Sequence, residues 1–172
     1  MNRVEIAIQA IGFVALGCEI ASVQFKKRHM ILAVYMASAL LFAIHFMLLG
    51  AGTGALLNLV SAGRAVIFGH YSNRRRPLWP LWVVIAAVVV VSVATIRGWI
   101  SLLPMTAMVI SSVALWQRDE NAMRRLLLTT VPLWLVFSVL VGSYAGVLDE
   151  CIVATSLVIA VARYRHSKPA TR

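Results

Sequence analysis

Charged residues are scarce in this sequence, and their scarcity excludes most soluble folds. Only 13% of the 172 residues are Asp, Glu, Lys or Arg, and only six are acidic. Hydrophobic residues make up 61%, and the mean hydropathy is +0.88, well outside the range of a soluble globular domain. No polar stretch is long enough to hold a soluble catalytic domain. The main solvent of the chain is therefore predicted to be a lipid bilayer.

Signatures of disulfide frameworks, metal sites and enzymes are also missing. Cys18 and Cys151 lie in separate apolar segments and do not have the spacing of a disulfide framework or a metal site. Metalloprotease, nucleophile-elbow and nucleotide-binding motifs are absent. We therefore expect no enzyme activity, no metal and no cofactor. An intramembrane enzyme stays as a second alternative, although the carboxylates are too scattered to nominate an acid–base pair.

Apolar runs long enough to cross a bilayer make up most of the chain. A span needs about 20 apolar residues, so the length allows about seven spans joined by short loops. Glycines, prolines and charge clusters divide the sequence into runs at 4–25, 30–49, 54–71, 78–96, 99–116, 126–141 and 146–163. Lipid-exposed segments must satisfy their own backbone hydrogen bonds, and the alternating pattern of barrel strands is absent. The predicted fold is all-α, with seven transmembrane helices.

Basic residues fall between these runs and predict the orientation. A net charge of +10 would suggest a nucleic-acid partner in a soluble protein, but these residues form no basic face of a soluble module. Thirteen of the sixteen Lys and Arg residues fall on one side, Arg3 and Arg97 on the other, and Arg64 within a span. The positive-inside rule places the amino terminus outside and the carboxyl terminus in the cytoplasm. The expected partner is the bilayer, with no nucleic acid, and a homo-oligomer is compatible with the sequence.

A weak internal repeat appears when the chain is shifted against itself by 92 residues. The shift aligns 48–56 with 140–148, so that two glycine turns coincide, and it places Asn58 over Glu150. Two parallel three-helix units would explain the odd number of spans, and such repeats recur in transporters with the solute site at their interface. The predicted parts are a first bundle 1–73, a linker helix 74–97, a second bundle 98–165 and a cytoplasmic tail 166–172. Chance similarity between apolar helices is the alternative.

Short motifs in the second, third and fifth runs resemble a known family. They are Val34-Tyr35-Met36-Ala37, Ile44-His45-Phe46-Met47-Leu48-Leu49-Gly50, Gly54-Ala55-Leu56-Leu57-Asn58 and Leu102-Leu103-Pro104. On these motifs the chain resembles the bacterial inner-membrane protein family YgjV, which looks like a relative of the SWEET and PQ-loop transporters. The resemblance implies a 3+1+3 helix plan, transport of a small solute and the bacterial inner membrane.

The same resemblance implies roles for individual residues. Gln9 and Pro104 are similar to the two members of the PQ-loop Pro-Gln pair, one in each half, which implies hinges. Pro104 has a static kink as its alternative. Asn58 is similar to the solute-facing asparagine in the third helix of SWEET-like repeats. Its counterpart Glu150 departs from that asparagine, which argues against a sugar.

Polar residues inside the runs supply a candidate site. A charge at the bilayer centre costs about 2.5–3.5 kcal/mol on insertion scales, so it needs a partner, a cavity or the interface. With a rise of about 1.5 Å per residue, His45, Asn58 and Glu150 are expected in one outer layer that contacts the solute. Glu19 and Arg64 are expected deeper, as an ion pair or gate.

These groups also have a purely structural interpretation. Interhelical hydrogen bonds hold membrane bundles together at about 0.6–2 kcal/mol each, and Arg64 could snorkel to the surface. Asp149 is predicted to be a bystander, because it points about 100° away from Glu150 on a helix. The favoured function is a small-solute carrier, a facilitator or a proton-coupled carrier, that rocks two bundles without ATP. A non-transporting subunit or chaperone that binds a partner laterally is the alternative.

Overall fold

The computed structural model describes residues 3–22, 24–25, 28–71, 77–96 and 98–167, and this part of the chain is helical without strands. Its elements are α1 (Arg3–Ser22), α2 (Arg28–Leu48), α3 (Gly52–Tyr71), α4 (Trp79–Thr95), a 3₁₀ turn (Trp99–Ser101), α5 (Leu102–Trp116), α6 (Glu120–Leu140) and α7 (Tyr144–Ser167). The all-α class and the seven helices are therefore confirmed for the described residues.

Five helices are long and apolar enough to cross a membrane. They are α1, Met30–Leu48 of α2, Trp99–Trp116 with α5, α6, and Tyr144–Ala162 of α7. α4 is apolar but has only 17 residues. α3 has 20 residues and carries Asn58, Ser61 and Arg64, which lower its hydropathy. Five spans are thus supported by length and composition, and the crossings of α3 and α4 stay predictions.

The start of α6 lies earlier in the chain than the apolar run indicated. The run begins at 126, whereas the helix begins at Glu120. Asp119 is the N-cap, and its carboxylate accepts hydrogen bonds from the N–H groups of Asn121 and Ala122 at 3.1 and 3.2 Å. An ion pair of 3.0 Å joins Glu120 to Arg124 one turn later. Capping and pairing by polar residues extend this helix beyond its apolar part.

The α2–α3 and α6–α7 connections are two copies of one turn. Gly50 and Gly142 end the preceding helices with φ angles of 75° and 73°, a left-handed conformation that favours glycine. In both turns the amide after the glycine donates to the carbonyl five residues before it, over 2.8 Å in the first and 2.9 Å in the second. This is the hydrogen bonding of a Schellman cap. The glycine turns that the sequence shift aligned therefore have the same backbone geometry.

Six helices form a closed ring around the centre of the molecule. Along the ring α1 packs on α2, α2 on α3, α3 on α5, α5 on α6, α6 on α7, and α7 on α1. α4 packs against α3 and α5 and contributes no residue to the central cavity described below. The ring thus places one face of each of six helices around a common space.

Large apolar side chains cover the outer surface of the ring helices and of α4. Val90 and Val93 on α4 are 66% and 67% exposed, and Val139 on α6 is 60% exposed. Such a surface is unfavourable in water and suits lipid. Several of the basic residues behind the predicted orientation lie outside the described residues. They are at 26–27, 74–76, 97 and 168–172. The orientation of the termini and the boundaries of the two bundles stay predictions.

Candidate functional site

A cavity of about 220 Å³ lies inside the ring, and all six ring helices line it. Its wall contains apolar residues and an unusual number of polar and charged ones for a membrane interior. The polar and charged lining residues are Glu19, Tyr35, Asn58, Ser61, Arg64, Ser111, Thr130, Ser138, Asp149 and Glu150. Burying an ionisable side chain inside a membrane bundle costs free energy. An ionisable residue that faces a cavity there is therefore a candidate functional residue.

One face of α7 supplies the acidic part of this wall. Its lining residues, Gly146, Asp149, Glu150, Val153 and Leu157, have the i, i+3, i+4, i+7 and i+11 spacing of a single helix face. Both carboxylates therefore belong to the cavity wall. In the described part of the chain no hydrogen bond or ion pair engages Asp149 or Glu150. Asp149 was predicted to be a bystander; the structure places it in the same wall as Glu150, because a cavity wall can include two residues about 100° apart on a helix.

Glu19 extends the acidic part onto α1. Its carboxylate interacts electrostatically with Asp149 and Glu150, so the three acidic groups share one region where α1 meets α7. The Ser38 hydroxyl lies 3.2 Å from a carboxylate oxygen of Glu19 and 2.8 Å from the carbonyl oxygen of Ala15. A hydroxyl of α2 thus contacts the Glu19 carboxylate.

Arg64 lies on the opposite part of the wall, where α3 meets α5. Arg64 is only 6% exposed. One terminal guanidinium nitrogen donates to the hydroxyls of Ser111 at 2.7 Å and Ser112 at 3.1 Å, and the other donates to Ser61 at 3.1 Å. The Tyr35 hydroxyl lies 2.9 Å from the Ser61 hydroxyl. Neutral hydroxyls therefore hold this charge in place, and the guanidinium does not snorkel out of the ring.

The predicted ion pair between Glu19 and Arg64 is not formed. Both residues line the cavity, but Arg64 is bound to serines and Glu19 contacts Ser38. α1 packs mainly on α2 and α7, and α3 packs on α2, α4 and α5, so the two helices are not close neighbours. Opposite charge suggested a pair that the order of helices in the ring does not bring together.

Asn58 is placed in the cavity wall, as the repeat predicted. Its amide nitrogen donates to the Gly54 carbonyl of its own helix at 3.0 Å. Among the described residues the amide oxygen has no hydrogen-bond partner. Asn58 and Glu150 thus line one cavity from α3 and α7.

His45 is fully buried but is not part of the cavity wall. Its Nδ1 donates to the Ile8 carbonyl at 2.9 Å, since a carbonyl oxygen can only accept. Its Nε2 lies 2.8 Å from the Ser143 hydroxyl. A Cβ at Gly12 would lie 2.8 Å from the ring, so the missing side chain makes room for the imidazole. The structure therefore separates His45 from the layer it was expected to share with Asn58 and Glu150 and gives it a cross-linking position.

Gln9 is a second cross-link at the same end of the ring. Its side-chain nitrogen donates to the Gly142 carbonyl at 2.8 Å, and its side-chain oxygen accepts from the Tyr144 N–H at 3.2 Å. The amide of α1 thus bonds both sides of the α6–α7 turn. Gln9 and His45 together join the first two helices to the α6–α7 turn by polar contacts.

Pro104 is the third residue of α5, which directly follows the 3₁₀ turn. A proline in the first turn of a helix lacks an N–H that would have no partner within that α-helix, so it does not interrupt the helix. Pro132, by contrast, lies in the interior of α6. The hinge roles of Pro104 and Gln9 stay predictions, and the structure adds that Gln9 bonds to the α6–α7 turn.

Aromatic side chains form a further part of the wall that the sequence did not single out. Phe42, Phe46 and Trp134 line the cavity. The rings of Phe46 and Trp134 stack with centroids 6.4 Å apart, and those of Phe42 and Phe46 stack at 6.1 Å. Phe46, Trp134 and their neighbour Phe137 contact one another in the core of the ring. The signal was available, since Trp134 aligns with Phe42 in the 92-residue shift.

The described residues include no group of three or more His, Cys, Asp or Glu side chains arranged to hold a metal ion. The chemistry that this wall can perform is recognition by charge, hydrogen bonds and aromatic contact.

The comparison with known proteins decides the family. The model of the Imp-YgjV family, described as bacterial inner membrane protein, matches residues 6–168. This chain belongs to the Imp-YgjV family. No curated protein and no solved structure matches it. As an Imp-YgjV protein it is a helical protein of the bacterial inner membrane, and the resemblance found in its motifs is confirmed at the level of the family.

Proposed function

We propose that this Imp-YgjV protein is a SWEET-like carrier that moves a small polar solute through the cavity inside its helix ring. The observation that carries the proposal is a cavity of about 220 Å³ lined by six helices and by four charged side chains. Burying charge in a membrane bundle is costly unless the charge has a partner or a use. Asp149 and Glu150 have no partner among the described residues, and a passing solute would be one.

The two-bundle plan of such carriers is supported by the residues of the wall. The shift of 92 residues that superposes the glycine turns carries the α3 lining positions 57, 58 and 61 onto the α7 lining positions 149, 150 and 153. It also carries the α2 lining positions 35, 42 and 46 onto the α6 lining positions 127, 134 and 138. Two parallel three-helix units, α1–α3 and α5–α7, therefore present the same faces to the cavity, and α4 links them.

Alternation of access would follow from the contacts between the units. The ring has two such contacts, α3 with α5 and α7 with α1. Gln9 and His45 close the α1–α7 contact at the end of the turns, which the positive-inside rule places on the periplasmic side. Parting these bonds would open that end, and rocking of the two units would open the other. The cycle needs no ATP, and either the solute gradient or protons would drive it.

A transport screen in proteoliposomes tests this function. Sugars, amino acids, amines and organic acids are offered to vesicles with the wild type, Glu150→Gln or Asn58→Ala. The matched control is Glu120→Gln, because Glu120 lies on α6 outside the cavity and its side chain is 71% exposed. We expect uptake of one solute class that falls about tenfold in both cavity variants and is unchanged in the control.

Folding of each variant is checked by a monodisperse elution profile and a melting temperature close to that of the wild type. Absence of uptake for every class would argue against a carrier and for a non-transporting membrane subunit that binds its partner laterally. Uptake that is equally fast in Glu150→Gln, Asn58→Ala and the control would place the route outside this cavity.

A further inference from the structure

The charges of the cavity wall are segregated between its two sides. Glu19, Asp149 and Glu150 lie where α1 meets α7, and Arg64 lies where α3 meets α5. The two sides are the two contacts between the proposed three-helix units. A solute that fills the cavity therefore meets an acidic surface at one end and a basic, hydroxyl-rich surface at the other.

The acidic side lacks a cation in the described part of the chain. Glu19 contacts the Ser38 hydroxyl, and no hydrogen bond or ion pair joins Asp149 or Glu150 to another described residue. The guanidinium of Arg64, the cation of the wall, is bound to serines on the far side. A positively charged nitrogen in the solute would supply the missing counter-charge, and hydrogen bonds between charged groups are the strongest that a solute can offer here.

The basic side retains donors for an acceptor on the solute. A guanidinium carries five N–H donors, and three of those on Arg64 are directed to Ser61, Ser111 and Ser112. Arg64 and Asn58 both line the cavity, so the remaining donors and the Asn58 oxygen are available to a solute with oxygen or N–H groups. Its positive end and its acceptor end would thus be held by different helices.

The aromatic part of the wall suits a cation as well. Phe42, Phe46 and Trp134 line the same cavity, and the faces of such rings attract a cationic nitrogen within about 6 Å. The cavity volume of about 220 Å³ is that of about seven water molecules at roughly 30 Å³ each. The wall therefore fits a solute with only a handful of non-hydrogen atoms.

We propose that the solute is a small amine that is positively charged at neutral pH and carries an oxygen acceptor at its other end. An amino alcohol and a zwitterionic amino acid share this chemistry. The inference rests on the proposed carrier function, and it adds the charge and polarity of the solute. Its nitrogen is bound by Asp149, Glu150 and Glu19, its body by the aromatic rings, and its acceptor by Arg64.

Binding by matched solutes tests the proposal in the full-length protein reconstituted in nanodiscs. Ethanolamine is compared with ethylene glycol, and L-alanine with L-lactate, because each pair has similar size and differs in the charged nitrogen. Glucose serves as the neutral solute of the sugar class. Thermal stabilisation is measured for each, and uptake of ethanolamine, L-alanine and glucose is followed in proteoliposomes.

We expect stabilisation by ethanolamine or L-alanine and none by ethylene glycol or L-lactate at the same concentration. Binding of ethanolamine alone identifies an amino alcohol, and binding of L-alanine alone a zwitterion. Glu150→Gln should weaken binding about tenfold, Asp149→Asn gives the same test if Glu150→Gln fails to fold, and Glu120→Gln should leave binding unchanged.

Two results would overturn the inference, and they differ in what they leave standing. Uptake of glucose that Glu150→Gln abolishes, without binding of either amine, would refute the amine and keep the carrier. Absence of binding and uptake for every solute class, in the screen above as well as here, would refute the carrier and the amine together.

Discussion

Gln9 and Gly142 lie 133 positions apart in the chain, yet the side-chain amide of Gln9 donates a hydrogen bond of 2.8 Å to the Gly142 carbonyl. The same amide accepts from Tyr144 at 3.2 Å, and the His45 ring reaches Ser143 between them at 2.8 Å. Three consecutive residues of the α6–α7 turn are thus bound by the first two helices. This contact fixes the α1 end of the ring against the α7 end.

Removal of the Gln9 amide should destabilise the protein. Gln9→Ala removes two partly buried hydrogen bonds, to the Gly142 carbonyl and from the Tyr144 N–H, and the expected loss is about 1–2 kcal/mol in the free energy of unfolding. Gln24→Ala is the control, because Gln24 is exposed. Unfolding in detergent micelles measures both. Equal stability of the two variants would show that the cross-link contributes nothing.

A side chain at Gly12 should displace the imidazole of His45. A Cβ there would lie 2.8 Å from the ring and 2.9 Å from the Ala145 Cβ, whereas a Cβ at Gly17 of the same helix meets nothing. Both substitutions to Ala gain the same helix propensity, so their difference isolates the overpacking. We expect Gly12→Ala to be less stable than Gly17→Ala by about 1–3 kcal/mol in thermal or denaturant unfolding. The reverse order would mean that the ring moves aside freely.

Replacement of Arg64 by Lys should cost stability although it keeps the charge. A single ammonium cannot reproduce the planar fork that reaches Ser61, Ser111 and Ser112, and we expect a loss of about 1–3 kcal/mol in unfolding free energy. Arg124→Lys is the matched control. Its partner Glu120 is exposed, so that change should stay below about 0.5 kcal/mol. If Arg64→Lys were as stable as this control, the serine contacts of Arg64 would not contribute to stability.

The orientation of the chain can be tested by cysteine labelling in whole cells. Cys18 and Cys151 are first replaced by Ala, and Tyr144→Cys or Glu120→Cys is introduced, because both side chains are exposed. A reagent that does not cross the inner membrane should label Cys at 144 and should label Cys at 120 only after lysis. Labelling in the opposite sense would invert the predicted orientation, and labelling of both in intact cells would contradict the crossing of α6.

The helical fold was largely predictable because the lipid solvent requires apolar segments to be helical. Apolar runs in lipid must become helices, and glycine at Gly50 and Gly142 marks turns that need a left-handed residue. The start of α6 was not predictable from hydropathy, because Asp119 and Glu120 extend the helix with polar contacts. Composition also could not show which helices are neighbours in the ring.

The site was predictable only where the repeat constrained it. Asn58 and Glu150, which the 92-residue shift aligns, both line the cavity. His45 was predicted to line the cavity and does not. Its ring occupies the space that Gly12 leaves free, and hydropathy does not indicate such a neighbour. Glu19 and Arg64 were paired by charge alone, and charge does not report helix order. Asp149 was missed because the width of the cavity was unknown.

The position of α4 outside the ring gives the molecule one tethered side and one untethered side. Where α3 meets α5, the polypeptide runs through α4 and holds the two contacting helices together covalently. Where α1 meets α7, no connecting segment joins the two helices directly. The contact there includes the hydrogen bonds of Gln9 and His45 to the α6–α7 turn. Separating α1 from α7 would break these hydrogen bonds and would leave the helices themselves intact. In the proposed cycle the two three-helix units would part at the α1–α7 contact, while α4 keeps α3 and α5 joined through the chain.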